Sequence, residues 1–232
     1  MFNDLGGQIY RALIDSDRWM LYLNGLLTTL MIAGIALVMG VVIGSLVAVA
    51  KVNALHNKKL KWLAAICELY TTVIRGTPVV VQLLIMYFVV FASAPYGVEA
   101  YIGALTFGIN SGAYVSEIVR AGIMSIDKGQ TEAGRSLGLP RGLTMRNIIL
   151  PQAFKNVLPA LGNEFIILFK ETSVVGYIAV QDLTKAADLV RSRTFEAFVP
   201  LIFIALIYLG IVLLITWLLR KLENRLARSD AR

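Results

Sequence analysis

The chain has one cysteine, Cys67, and one histidine, His56, in 232 residues. A single cysteine excludes an internal disulfide and a cysteine-based metal cluster. His56 stands in a basic stretch with Asn57, Lys58 and Lys59, without the partners that a metal or catalytic site requires, and reads as a solvated side chain. No Gly-Lys-Ser/Thr phosphate loop occurs, so energy from a nucleotide would have to come from another polypeptide. No paired nucleophile and base is visible, which argues against a membrane enzyme. Long repeats and Ser- or Pro-rich linkers are also missing. The first twenty residues carry Asp4, Arg11, Asp15, Asp17 and Arg18 rather than a basic start and an apolar core. The first apolar segment is therefore expected to be retained.

What the chain has in quantity is apolar sequence. It is 57% hydrophobic, with a mean hydropathy of +0.71, against roughly 45–50% apolar residues in soluble domains. The apolar residues come in runs, and about 20 suffice to cross a bilayer core. The pattern predicts an all-α integral membrane bundle, a single domain of five transmembrane helices at about 25–49, 62–91, 101–124, 151–169 and 198–219. Glu68 and the run Arg75-Gly76-Thr77-Pro78 interrupt the second stretch, and a polar insert, 125–150, separates the third and fourth.

The net charge of +7 is a topology signal before it is a binding signal. Lys51, Lys58, Lys59 and Lys61 in the first loop fall on one side of the membrane. So do Arg120, Lys128, Arg135, Arg141, Arg146 and Lys155 around the insert, and Arg220, Lys221, Arg225, Arg228 and Arg232 in the tail. Only Arg11, Arg18, Lys185, Arg191 and Arg193 fall on the other. The positive-inside rule then puts the N-terminus outside and the insert and C-terminus in the cytoplasm. Contact of the basic tail with anionic lipid is an additional reading that orientation alone does not need.

Within the insert, Asp127 is placed to cap a helix, with Gln130 three residues on as in a capping box. Gly138-Leu139-Pro140 breaks the run, and a second helical stretch, 141–149, leads to Leu150-Pro151. A short helix on the cytoplasmic face offers a surface for a soluble partner, or simply lies on the membrane.

Glu132-Ala133-Gly134, Gly138, Ile148, Leu150 and Pro151 resemble, at every spacing, the loop signature of the permease subunits of binding-protein-dependent ABC importers. The one departure is Gly134 in place of alanine, which weakens the helix by roughly 0.5–1 kcal/mol yet keeps a small contact surface. Arg75-Gly76-Thr77-Pro78, the run from Asn110 to Gly122, Asn163-Glu164 and Lys170-Glu171-Thr172-Ser173 look like segments of the polar amino acid branch. The resemblance covers about residues 20–225. It implies a type I importer permease fold in the bacterial cytoplasmic membrane, with a cytoplasmic coupling helix carrying Glu132, Ala133, Gly134 and Gly138. It implies as partners a second permease subunit (identical or sibling), two cytoplasmic ATPases that bind ATP and Mg, and an extracytoplasmic amino-acid-binding protein. No cofactor in this chain and no nucleic acid is implied.

Ionisable groups inside spans are costly and point to function by default. Asn110, Tyr114 and Glu117 share one face of the third span at i, i+4, i+7, and Glu164 lies inside the apolar run that begins after Pro159. Asn110, Ser111, Tyr114 and Glu164 form a candidate substrate-binding set, with donors for a carboxylate and acceptors for an ammonium. The bland readings stand beside it: interhelical hydrogen bonds for Asn110 and Asn163, a packing aromatic for Tyr114, an ion pair of Glu117 with Arg120, and a pairing of Glu68 with Arg75. Gly40–Gly44 and Gly108–Gly112 have close-packing spacing. The segment 171–193 is either a gate or binding-protein contact, or a solvated connector. The rival function is an ion-coupled secondary transporter or channel, which the intramembrane polar residues allow and the missing inverted repeats disfavour.

Overall fold

A computed structural model of the chain describes residues 5–230. Asp4 and Arg232 lie outside the described residues, as do the side chains of His56 and Arg228. Among the described residues the regular elements are all helical: α1 (Leu5–Ile9), α2 (Trp19–His56), α3 (Lys61–Gly76), α4 (Val79–Ile85), α5 (Glu99–Met124), α6 (Lys128–Ser136), α7 (Arg141–Thr144), α8 (Leu150–Glu171), α9 (Leu183–Thr194) and α10 (Phe198–Asp230). Short π-helical turns extend α1, α4 and α7, and 3-10 turns link several of the others.

Among the described residues two helices are long and apolar enough to cross a membrane, over Trp19–Leu55 and Phe198–Leu226. A third crossing is made if Lys58–Gly76 and Val79–Val90, bent by 104° at their junction, form one broken span. The break has a local cause. Thr77 and Pro78 are both extended, because proline disfavours the helical region for its predecessor and brings no amide hydrogen. The Thr77 hydroxyl turns back to the Val73 carbonyl at 2.9 Å. Helix α2, at 38 residues, is about 57 Å long, well beyond a bilayer core of about 30 Å. Residues 51–56, expected in a loop, are its final turns, and Lys51 is buried rather than solvated.

The chain divides into two compact units. The first holds the residues up to Ala36, Pro78–Phe107 and Ile166–Thr216. Here the segment 171–193 is no solvated connector: Leu183, Ala186, Ala187 and Val190 of α9 are fully buried in a core with Ala12, Tyr22, Val199 and Ile204. Asp182 caps α9, accepting from the amides of Thr184 (3.0 Å) and Lys185 (2.9 Å). Burial pushes its carboxyl above the usual range, opposed by those amide bonds. Gly25 admits this turn closely, since a Cβ there would stand 2.6 Å from the Asp182 carbonyl oxygen. Arg11 closes the edge with an ion pair to Glu196 at 2.6 Å.

The second unit holds Leu37–Thr77, Gly108–Phe165 and the residues from Trp217 onward. Its two glycine-spaced motifs pack α2 against α5. A Cβ on Gly40 would stand 2.6 Å from Ser111 Oγ, and one on Gly44 would stand 2.7 Å from Val115; one on Gly108 would stand 2.8 Å from Met39, and one on Gly112 would stand 2.8 Å from Ile43. Such spacing lets backbones approach where burial from water provides no drive between helices.

Candidate functional site

The insert lies wholly in the second unit and folds as its residues dictate. Asp127 Oδ1 accepts from the Gly129 amide at 2.6 Å, capping α6. The reciprocal arm of the capping box is replaced: Gln130 Oε1 faces Gln152 Nε2 at 3.5 Å. Helix α6 ends at Gly138, whose φ of +81° suits glycine, and Pro140 precedes α7. Gly134 is buried, and a Cβ on it would stand 2.8 Å from Thr144 Cγ2 and 2.9 Å from Ile148 Cδ1. Glycine in place of the signature's alanine thus lets α6 lie against the chain that follows it. Ile149 and Ala153 then anchor the insert in an apolar cluster with Val52 and Ile123. The opposite side of α6 is uncovered: Glu132 and Ala133 are exposed, and Leu137 is 81% exposed.

The four candidate substrate residues fall into two groups. Ser111 Oγ donates to Glu164 Oε1 at 2.8 Å, and both residues are buried. Glu164 thus meets a neutral donor, a rare state for a carboxylate removed from water. Asn110 is buried on the adjacent position of α5. Tyr114 is partly exposed, and the Arg75 guanidinium lies over its ring, 5.3 Å from the centroid. Asn163 and Pro151 of the signature are exposed, as are Gly76, Thr77 and Pro78 at the break between α3 and α4.

A second polar cluster was only half visible in the sequence. The Lys51 ammonium donates to Thr71 Oγ1 at 2.9 Å and pairs with Glu68 (2.8 Å) and Glu117 (3.0 Å). Its three protons are thereby matched by three acceptors. Glu117 also holds Arg120 through Oε2, at 3.0 Å to Nε and 2.7 Å to Nη2. The i, i+3 pair of Glu117 and Arg120 was expected; Glu68 pairs with Lys51 and not with Arg75. No local signal pointed to Lys51, because Glu68 and Glu117 each have a cation in their own helix, Arg75 and Arg120.

Comparison with known proteins follows this geometry. The family described as "Binding-protein-dependent transport system inner membrane component" matches residues 40–228. A putative glutamine transport system permease protein of Rickettsia bellii is 42% identical over 219 residues, covering 92% of this chain and 96% of the relative. The arginine transport system permease protein of Bacillus subtilis is 39% identical over 209 residues, covering 90% and 93%. The glutamine transport system permease protein of Escherichia coli is 38% identical over 209 residues, covering 89% and 93%. Among solved structures, an amino acid ABC transporter crystallised with histidines matches with a TM-score of 0.81 at 42% identity, covering 88% of this chain and 94% of the other. The MetNI methionine ABC transporter shares the fold, with a TM-score of 0.75 at 20% identity.

Proposed function

The chain belongs to the inner membrane components of binding-protein-dependent transport systems, and on that premise we propose that it is the permease subunit of an ATP-driven importer carrying a polar amino acid across the bacterial cytoplasmic membrane by alternating access. The observation that carries this reading is α6: a capped, well-anchored helix whose Glu132 and Ala133, with Leu137 at its C-cap, are exposed. A cytoplasmic ATPase gripping that side would transmit its opening and closing to the spans. The energy so transmitted is limited by the ATPase's differential affinity for the two permease states.

In this reading five crossings place the N-terminus outside and the C-terminus inside, as the charge asymmetry favours. Two ATPases, holding ATP and Mg, dock on two permease chains, which are either identical or siblings, and an extracytoplasmic binding protein delivers the amino acid. Asn110, Ser111, Tyr114 and Glu164 contribute to the route. Glu164, which has no cationic partner among the described residues, suits an ammonium or a cationic side chain.

The test is reconstitution. Liposomes containing the chain, its partner permease if there is one, and the ATPase, with ATP on the ATPase side and binding protein on the other, are expected to accumulate labelled glutamine or arginine only when ATP is hydrolysed. Transport by the purified chain alone, driven by an ion gradient, would overturn the reading.

A further inference from the structure

The last turns of α10 are basic. Arg220, Lys221 and Arg225 line an open groove of about 510 Å³ together with Trp217 and Asn224, a volume within the range of about 300–1,000 Å³ of small-molecule sites. Trp217, Arg220, Lys221 and Asn224 stand at i, i+3, i+4 and i+7, so they share one side of the helix. Another side is packed: Leu219 lies on α8, where a Cβ on Gly162 would collide with its Cδ2. All of these residues belong to the second unit. Glu223, the one acid between Trp217 and Leu226, does not line the groove. No carboxylate pairs with Arg220, Lys221 or Arg225 among the described residues.

The helix sets the depth of this groove. Counted from Phe198, where α10 begins, Trp217 stands about 29 Å along the axis, at the far edge of a hydrocarbon core of about 30 Å. Tryptophan favours that level, because its ring is apolar and its N–H seeks a polar partner. Trp217 is 57% exposed. Lys221 Nζ lies over its ring, 5.2 Å from the centroid, and cation–π attraction holds the ammonium there. The guanidinium groups of Arg220 and Arg225 carry parallel N–H donors that match phosphate oxygens, and the Asn224 amide adds neutral donors. Three cations and an amide thus stand where phospholipid headgroups lie.

We propose that this groove binds the phosphate headgroup of an anionic phospholipid, in the leaflet at the C-terminal end of α10. The inference goes beyond the importer reading and does not rest on it, since it needs only that α10 crosses the membrane. Charge complementarity selects the sign of the lipid. A zwitterionic headgroup brings its own cation into a groove that already has three, whereas a phosphodiester without one is attracted by all of them. Trp217 selects a lipid over free phosphate, because a small anion in water makes no use of an apolar ring at the edge of the core. Binding at one groove is also distinct from orientation by the positive-inside rule, which acts through charges counted over whole loops.

The test uses the full chain with Trp19→Phe and Trp62→Phe, which leaves Trp217 as its one tryptophan. It is reconstituted in equal amounts of dioleoylphosphatidylcholine and dioleoylphosphatidylglycerol. One lipid at a time is replaced by its form brominated in the acyl chains, which quenches a neighbouring indole. Stronger quenching by the brominated phosphatidylglycerol is expected, with a preference over phosphatidylcholine of about fivefold or more, the factor for one basic residue near an anionic surface. Molar salt brings the preference down to parity. So does the joint replacement Arg220→Gln, Lys221→Gln and Arg225→Gln, whereas Lys58→Gln with Lys59→Gln, exposed and outside the groove, leaves it unchanged. Equal quenching by the two lipids overturns the proposal without any groove variant. So does a failure of both lipids to quench, which would show that protein covers the groove, and so does a triple variant that keeps the preference. A preference lost equally through Lys58 and Lys59 belongs to the net charge of the chain and rejects the site. A preference abolished by sodium phosphate, but not by chloride of the same ionic strength, makes free phosphate the occupant and rejects the lipid.

Discussion

Two carboxylates in the second unit are treated in opposite ways. Glu117 is held by two cations, Lys51 and Arg120, through both of its oxygens. Glu164, more deeply buried, accepts from the Ser111 hydroxyl, and no cation pairs with it among the described residues. Neutralised in place, the first joins α2, α3 and α5 as a structural tie. The second carries an unspent preference for positive charge, which is what a passing ammonium or cationic side chain would meet. Intramembrane acids therefore divide by what already answers them, and burial alone does not tell a tie from a binding group. Asp182, in the first unit, shows a third solution: backbone amides answer it, and no cation pairs with it among the described residues.

The comparison can be broken at its strongest point. Glu117→Ala leaves Lys51 and Arg120 with fewer partners, and an expected loss of about 2–3 kcal/mol would show as a lower midpoint of thermal unfolding in detergent; an unchanged midpoint means the network ties nothing. Next, Gly40→Val drives a side chain into Ser111 Oγ and displaces the Glu164 bond without touching the carboxylate. Overpacking of this kind costs about 1–3 kcal/mol, and a wild-type midpoint would show that the contact between α2 and α5 is loose. Glu164→Gln should cost under about 1 kcal/mol, because a neutral amide oxygen still accepts from Ser111. Its effect belongs in transport: the ratio of arginine to glutamine uptake falls, and an unchanged ratio across several amino acids removes Glu164 from the route. The smallest effect concerns Asp182. Its carboxyl is raised in the fold above its ordinary 3.8, so its contribution to stability is full below that pH and is lost as pH rises through the folded value. Asp182→Asn should flatten stability against pH in that window, and an identical slope in both proteins would contradict the assigned cause.

Much of this was legible in the residues. Apolar runs marked the long helices, Asp127, Gly138 and Pro140 marked the bounds of the insert, and Thr77-Pro78 marked the break before α4. Each works through local backbone chemistry, which a sequence displays directly. The Gly40–Gly44 and Gly108–Gly112 spacings were visible too, but not that they face each other, since partnership between helices is a tertiary fact. Lys51 was misplaced for the same reason. A lysine after an apolar run looks like the start of a loop, and only the arrangement of α3 and α5 around it shows that Glu68, Thr71 and Glu117 converge there. The candidate set of Asn110, Ser111, Tyr114 and Glu164 was drawn from polarity and helical phase. Phase did not show that Ser111 closes on Glu164 while Tyr114 turns to Arg75. The burial of α9 was hidden by its mixed charge, which lies on the side away from Leu183, Ala187 and Val190.

The account depends most on α6 being the handle through which an ATPase moves the spans. The direct measurement is the number of amino acids imported per ATP hydrolysed in reconstituted vesicles, for wild type and for Glu132→Lys, a change on the exposed side of a helix whose cap and buried glycine are left intact. Ongoing hydrolysis with uptake reduced to background is the predicted result. An unaltered ratio in the variant would contradict it.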